Sequence, residues 1–197
     1  MFNRFLLTVA ALMGVCVTPA FAGAKTYDFN KPHTQILFFV DHMGFSHSSG
    51  RFLDFDGSLT YDPEKPAESS TQVTIKTDSL EMNDAKWNEH LKSPDFFNVA
   101  QYPTMNFAST KVEPVDATHA KITGDLTMLG QTHPVTLDVT LNKCGEQAMT
   151  KQETCGFDAT GSLKRTEWGM DKFVPMVGDD VKLMITVEAP VQSGANQ

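Results

Sequence analysis

The sequence predicts an all-β, antiparallel fold, on three observations. Apolar and polar residues alternate with a period of two along most of residues 25–190. The runs are joined mostly by hairpin-sized connections, which suits an up-and-down barrel or a sandwich. A 3.6-residue period is missing outside one short segment, which excludes a bundle, a coiled coil and a doubly wound sheet.

Met1–Ala22 is set apart from this pattern. Arg4 supplies a positive start, residues 5–17 (FLLTVAALMGVCV) form an apolar stretch, and Thr18–Ala22 ends in a small-x-small site. This reads as a secretory signal peptide cleaved after about Ala22, too short and too poorly flanked for a membrane span. A lipoprotein signal acylated at Cys16 is the alternative. Bulky Val15 and the downstream cleavage site oppose it. The expected organisation is one exported domain over 23–197.

Strands are expected near 25–30, 35–42, 50–61, 71–77, 103–111, 119–129, 134–141, 155–164 and 180–189. Each has one apolar and one polar face, as a half-buried antiparallel strand requires. Ile36, Phe38, Val40 and His42 share a parity; so do Ile122, Gly124, Leu126 and Met128. Barrel closure turns such faces inward. The residues expected inside are Phe38, Val40, Phe52, Met105, Phe107, Leu126, Met128 and Phe157. Gly50, Gly57, Gly124 and Gly161 sit at or near apolar parity, marking a bend, a bulge or space for a ligand.

Asn83–Val99 is the one departure. Its spacing and the start signal Ser93-Pro94-Asp95 predict short helical pieces lying across one end of the sheet. Leu91, Phe96 and Phe97 are expected to pack inward from it.

Composition excludes several function classes. The 197 residues carry a formal net charge of −8, and losing Arg4 makes it −9, without the basic footprint of a nucleic-acid binder. Apolar residues at 41% and charged residues at 20% fit a folded globular chain. Fourteen Phe beside two Trp and three Tyr favour a large apolar interior.

With Cys16 removed, Cys144 and Cys155 are an isolated pair in an exported chain, which reads as a disulfide closing a loop of about 12 residues. Two free thiols or a redox switch are the alternatives. No metal site is expected: soft ligands are too few, and His42 and His47, five apart, fall on opposite faces if extended. His42 is either a polar contact for a ligand head group or a satisfied interior histidine. No G-x-S-x-G elbow, H-E-x-x-H helix or phosphate-binding glycine loop is present. Lys164-Arg165 is a surface pair or a contact for a diphosphate. Gly178-Asp179-Asp180 lacks the further oxygens of a calcium loop.

Residues 88–110 (NEHLKSPDFFNVAQYPTMNFAST), 123–139 (TGDLTMLGQTHPVTLDV) and 156–170 (GFDATGSLKRTEWGM) carry a specific match. With 38–44 (FFVDHMG) and 50–57 (GRFLDFDG), they closely resemble the YceI-like family over about Tyr27–Pro190. The resemblance implies an eight-stranded antiparallel lipocalin-like barrel in the periplasm of a Gram-negative bacterium. It also implies a bound isoprenoid lipid, such as a polyprenyl quinone or diphosphate, or a related long-chain amphiphile, and no cofactor is expected besides that ligand. A membrane diheme cytochrome b is the macromolecular partner it suggests, with the protein a monomer or homodimer. One departure stands out: Trp87-Asn88 precede Glu89-His90-Leu91 where family members usually carry Arg-Asp. The expected function is a lipid carrier. The alternatives are a module docking on that cytochrome, or an enzyme using His42 or His90 as a base, for which no partner residue is visible.

Overall fold

The computed structural model describes residues 23–192. The expected signal peptide, Cys16 included, lies outside them. Eleven strands form one antiparallel sheet. They are β1 (Lys25–Asp28), β2 (Gln35–His42), β3 (Ser46–Phe52), β4 (Phe55–Tyr61), β5 (Ser70–Lys76), β6 (Leu80–Glu81), β7 (Thr104–Pro114), β8 (His119–Met128), β9 (Gln131–Glu146), β10 (Glu153–Lys164) and β11 (Val177–Pro190). Their order is β1-β4-β5-β7-β8-β9-β10-β11-β2-β3-β6, so from β7 to β11 each strand pairs with the next in sequence. The sheet curls on itself. Tyr27 of β1, at one end of the order, bridges to Val191 just beyond β11.

The described residues hold eleven strands, not the eight implied by the resemblance. The run expected as one strand over 50–61 is two, β3 and β4, which pair with different neighbours on either side of Leu53-Asp54. That corner is tied to the segment after β5: Leu53 N–H donates to Ser79 O at 3.1 Å, and Lys76 N–H to Asp54 O at 2.9 Å. A 3-10 turn at Thr77–Ser79 then delivers the two-residue β6, too short to leave a periodic signal.

Bulges reset the parity twice. In β7 the register shifts between Ser109 and Lys111, so Met105 and Phe107 face the interior before the shift and Val112 after it. In β9 the extra residue is Asn142: Leu141 pairs with Phe157, Lys143 with Gly156 and Cys144 with Cys155. The disulfide joins Cys144 and Cys155 across this ladder, with Cα atoms 4.1 Å apart.

The helix α1 (Ala85–Lys92) begins where Asp84 accepts from Trp87 N–H at 2.9 Å, an N-cap that satisfies one orphan donor. Turns follow to Val99. Phe96 and Phe97 are buried and Leu91 is half-buried against the same core. The ring of Phe97 meets Phe52 edge-on at 5.5 Å.

Lys164-Arg165 is not a surface pair. Lys164 is exposed and bonds Asp180 at 3.0 Å, but Arg165 is 3% exposed. Its guanidinium donates to the carbonyls of Gly178, Met170, Lys172 and Val177 at 2.7–3.0 Å. Those bonds gather the β10–β11 connection, which answers the cost of burying the charge and leaves no free donor fork for a diphosphate. Asp179 is likewise engaged, accepting from Thr166 N–H and Oγ1–H at 3.0 Å each.

Candidate functional site: an apolar cavity along the sheet

The inner face of the curled sheet encloses a cavity of about 640 Å³. All eight residues expected inside line it. Phe38, Phe52, Met105 and Met128 are buried in the wall, whereas Val40, Phe107, Leu126 and Phe157 are half-buried. Polar neighbours one residue away face out: the Thr127 hydroxyl pairs with that of Thr132 at 2.8 Å across the β8–β9 hairpin. The turn of that hairpin, Leu129-Gly130, takes positive φ at both positions, as a tight two-residue loop demands.

The glycines in the wall answer to close packing rather than to a ligand. A Cβ on Gly124 would lie 2.4 Å from the Phe107 ring and 2.6 Å from Ala108 O; one on Gly50 would lie 2.3 Å from the Phe38 ring. Gly57 makes the same room for Phe29. At Gly50, Gly57 and Gly124 the absent side chain leaves room for a ring, with Met82 beside it at Gly50, and at Gly161 it leaves room for Leu137 and the Thr136 carbonyl.

One end of the cavity lies under α1. His42, Trp87, His90 and Phe173 line it. The His42 ring stands 6.2 Å from the Trp87 indole, and His90 packs edge-on against Phe96 at 5.1 Å and Phe173 at 6.1 Å. His47 does not join His42: it pairs with Asp41 on β2 and is exposed. Among the described residues no three His, Cys, Asp or Glu side chains are placed to share a metal.

The departure at Trp87-Asn88 has a structural role on one side and a cavity role on the other. Asn88 Oδ1 accepts from Met82 N–H at 2.7 Å while its Nδ2 donates to Glu81 at 3.0 Å, pinning α1 to β6. Trp87 covers the mouth beside His42.

The opposite end was not anticipated. Tyr61, Ser69, Asp116 and His119 line it, contributed by the loops 62–69 and 115–118 and their flanks. Ser69 Oγ is shielded from solvent and has no hydrogen-bond partner among the described residues. Asp116 accepts from the N–H groups of Thr118 and His119 at 2.8 and 2.9 Å, and its carboxylate meets the His119 ring at 2.9 Å. The Thr118 N–H foremost, then the His119 ring, holds this carboxyl down at about 2. The bulge in β7 carries the chain out of its alternation just before this turn, which is why parity failed to reach it.

Comparison with known proteins follows this geometry. The model of the YceI-like domain matches residues 27–189. Protein YceI of Escherichia coli O157:H7 is 37% identical over 188 residues, 94% of this chain and 96% of the relative. A UPF0312 protein of Pseudomonas aeruginosa is 36% identical over 92% of this chain and 95% of its own length. Among solved structures, BcnA of Burkholderia cenocepacia superposes with a TM-score of 0.74 at 26% identity, covering 82% of this chain and 99% of that one. A polyisoprenoid binding domain from Saccharophagus degradans shares the fold at a TM-score of 0.62 and 11% identity, covering 84% and 98%. With its family model spanning β1 to β11 and relatives above one-third identical over almost the whole length, the chain belongs to the YceI-like family.

Proposed function

We propose that this protein is a periplasmic carrier that holds a long isoprenoid lipid, or a related amphiphile, along the cavity. One observation carries the reading: a lumen of about 640 Å³, walled by apolar side chains, runs from α1 to the 115–118 turn. Membership of the YceI-like family supports it, as does the shared fold of a domain described as polyisoprenoid binding.

The closure we infer is that of an eight-stranded lipocalin-like barrel. Taking β1 with β2, β3 with β4, and β5 with β6 as three interrupted strands, every strand has two neighbours and the Tyr27–Val191 bridge lies on the seam. The exported unit is the single domain 23–197, freed of its signal peptide.

Selectivity cannot come from buried area alone. At about 0.8 kcal/mol per CH₂, a long tail would exceed the practical affinity ceiling of roughly 18–21 kcal/mol. The donor is itself an apolar bilayer, so most of that drive cancels. Channel shape and the few polar groups at the mouths must choose the ligand. The charge of −9 favours a neutral head such as a quinone over a diphosphate, and His42, among the cavity-lining residues at the α1 end, is our candidate to meet it.

Binding, rather than catalysis, also suits the histidines. A general base needs a partner to orient it. His42 and His90 face aromatic rings instead.

Native mass spectrometry of protein purified from its own host tests the proposal. A co-purifying lipid of defined mass is the expected result. Protein that is uniformly empty, and stays empty when offered polyprenyl quinone in detergent, overturns it.

A further inference from the structure

Six of the ten large apolar side chains exposed among the described residues gather at the α1 end of the sheet. Phe45 is 89% exposed, Met176 58%, Met43 51%, Trp87 42%, Phe173 41% and Val174 36%. They come from three separate segments. Met43 and Phe45 form the β2–β3 turn, Trp87 stands on α1, and Phe173, Val174 and Met176 belong to the β10–β11 connection.

Contacts link these segments into a collar. Met43 N–H donates to Met176 O at 2.8 Å. Trp87 meets His42, one residue from Met43, and Phe173 meets His90, one helical turn from Trp87. Trp87 and Phe173 also line the cavity. The apolar surface is therefore continuous from the lumen, through the mouth, to the outside. Contiguous exposed apolar surface of this kind marks an interaction site.

Resting on the lipid-carrying reading, we infer that this collar docks the protein on a zwitterionic lipid bilayer, with the cavity mouth facing the membrane. Three observations favour a bilayer over a protein partner. Five of the collar's six residues sit at turns, Met43 and Phe45 between β2 and β3 and Phe173, Val174 and Met176 between β10 and β11, with Trp87 on α1. Its Trp and Phe are residue types that settle at the membrane interface, with Met and Val adding apolar area. And its continuity with the lumen gives a lipid tail a route that never crosses water.

Charge sets the kind of bilayer. Lys86, Lys92 and Lys172 are offset at this end by Asp84, Glu89, Asp95 and Asp171, with Lys172 bonded to Asp95 at 3.4 Å. No basic patch is left to seek anionic lipid, and the whole mature chain is repelled by it.

The test uses the mature chain and phosphatidylcholine vesicles, read by flotation. Phe45→Asp with Met176→Asp removes two collar side chains that do not line the cavity. Wild-type protein should float with the vesicles, the double variant should bind about tenfold more weakly, and adding phosphatidylglycerol should weaken both. A melting temperature within a few degrees of wild type, measured without vesicles, confirms that the variant is folded. The docking inference is overturned if wild type and variant float equally, if neither floats, if only anionic vesicles bind, or if flotation requires an added membrane protein. Bound lipid is measured separately by native mass spectrometry. Protein that carries lipid but never floats leaves the carrier standing and sinks the docking; protein that floats yet takes up no lipid does the reverse.

Discussion

The Tyr27 hydroxyl donates to Glu153 Oε1 at 2.7 Å, tying β1 to the start of β10 across the seam where Tyr27 bridges Val191. Lys25 holds the other carboxylate oxygen at 2.5 Å. Tyr27 is 2% exposed, and burial, then the bond to Glu153, pushes its phenol up. Tyr27→Phe should cost about 1.5 kcal/mol in urea unfolding, the worth of a hydrogen bond to a charged acceptor.

The same contact sets an acid limit. Lys25 foremost, then Tyr27, lowers the Glu153 pKa below its ordinary 4.5. A depressed folded pKa means the stabilisation is fully present above the ordinary value and fades as pH falls through the folded one. Stability of the wild type should therefore decline below about pH 4.5 more steeply than that of Glu153→Gln, whose acid limb should be flatter. Parallel limbs in the two proteins would remove Glu153 from the account.

Arg165 is expected to be among the costliest single truncations. Arg165→Ala orphans four carbonyls at once and should destabilise by about 3 kcal/mol or more, with early proteolysis within 170–178. Arg165→Lys should recover only part, because an ammonium has no planar fork to reach all four. Melting and limited proteolysis check both.

Phe97→Ala should cost about 3 kcal/mol, since the ring is buried and packs edge-on against Phe52. A change below about 0.5 kcal/mol, typical of surface sites, would detach the segment after α1 from the core.

Met128→Trp and Thr127→Trp form a matched pair across the wall of β8. Trp at Met128 fills the lumen and should weaken or shorten the bound lipid, whereas Trp at Thr127 should leave it unchanged. Equal lipid content in both folded variants would place the ligand elsewhere.

Reducing the Cys144–Cys155 bridge reopens a loop of about 12 residues, worth up to roughly 3 kcal/mol in the chain-entropy model. The melting temperature should fall while lipid stoichiometry holds. Cys155 packs with Tyr27 and Ala189, apart from the main core around the lumen.

What the alternation of residues could reveal was the wall. Met128 and Thr127 differ by one position and by the whole thickness of the sheet, so parity placed the eight lining side chains without a structure. It failed where the backbone adds a residue. The shift at Ser109–Lys111 hid the far end of β7 and with it the turn bearing Asp116 and His119. It failed also for Arg165, because the carbonyls that justify its burial come from Met170 and Lys172 in an aperiodic connection and from the first two residues of β11. The collar left no trace for the same reason: Phe45, Trp87 and Phe173 are far apart in the chain, and only the curl of the sheet makes them neighbours.

The sockets at Gly50 and Gly124 give the lumen a calibre that its own lining does not determine. The rings of Phe38 and Phe107 occupy the space a side chain at Gly50 or Gly124 would take, with Met82 sharing it at Gly50. A methyl at Gly50 would have to displace the Phe38 ring and Met82, both side chains that can move, whereas one at Gly124 would also meet the Ala108 carbonyl. Bore width is therefore set in part from Gly50, a position outside the lining, and on the proposed function a substitution there would change the girth of tail accepted without altering any lining residue.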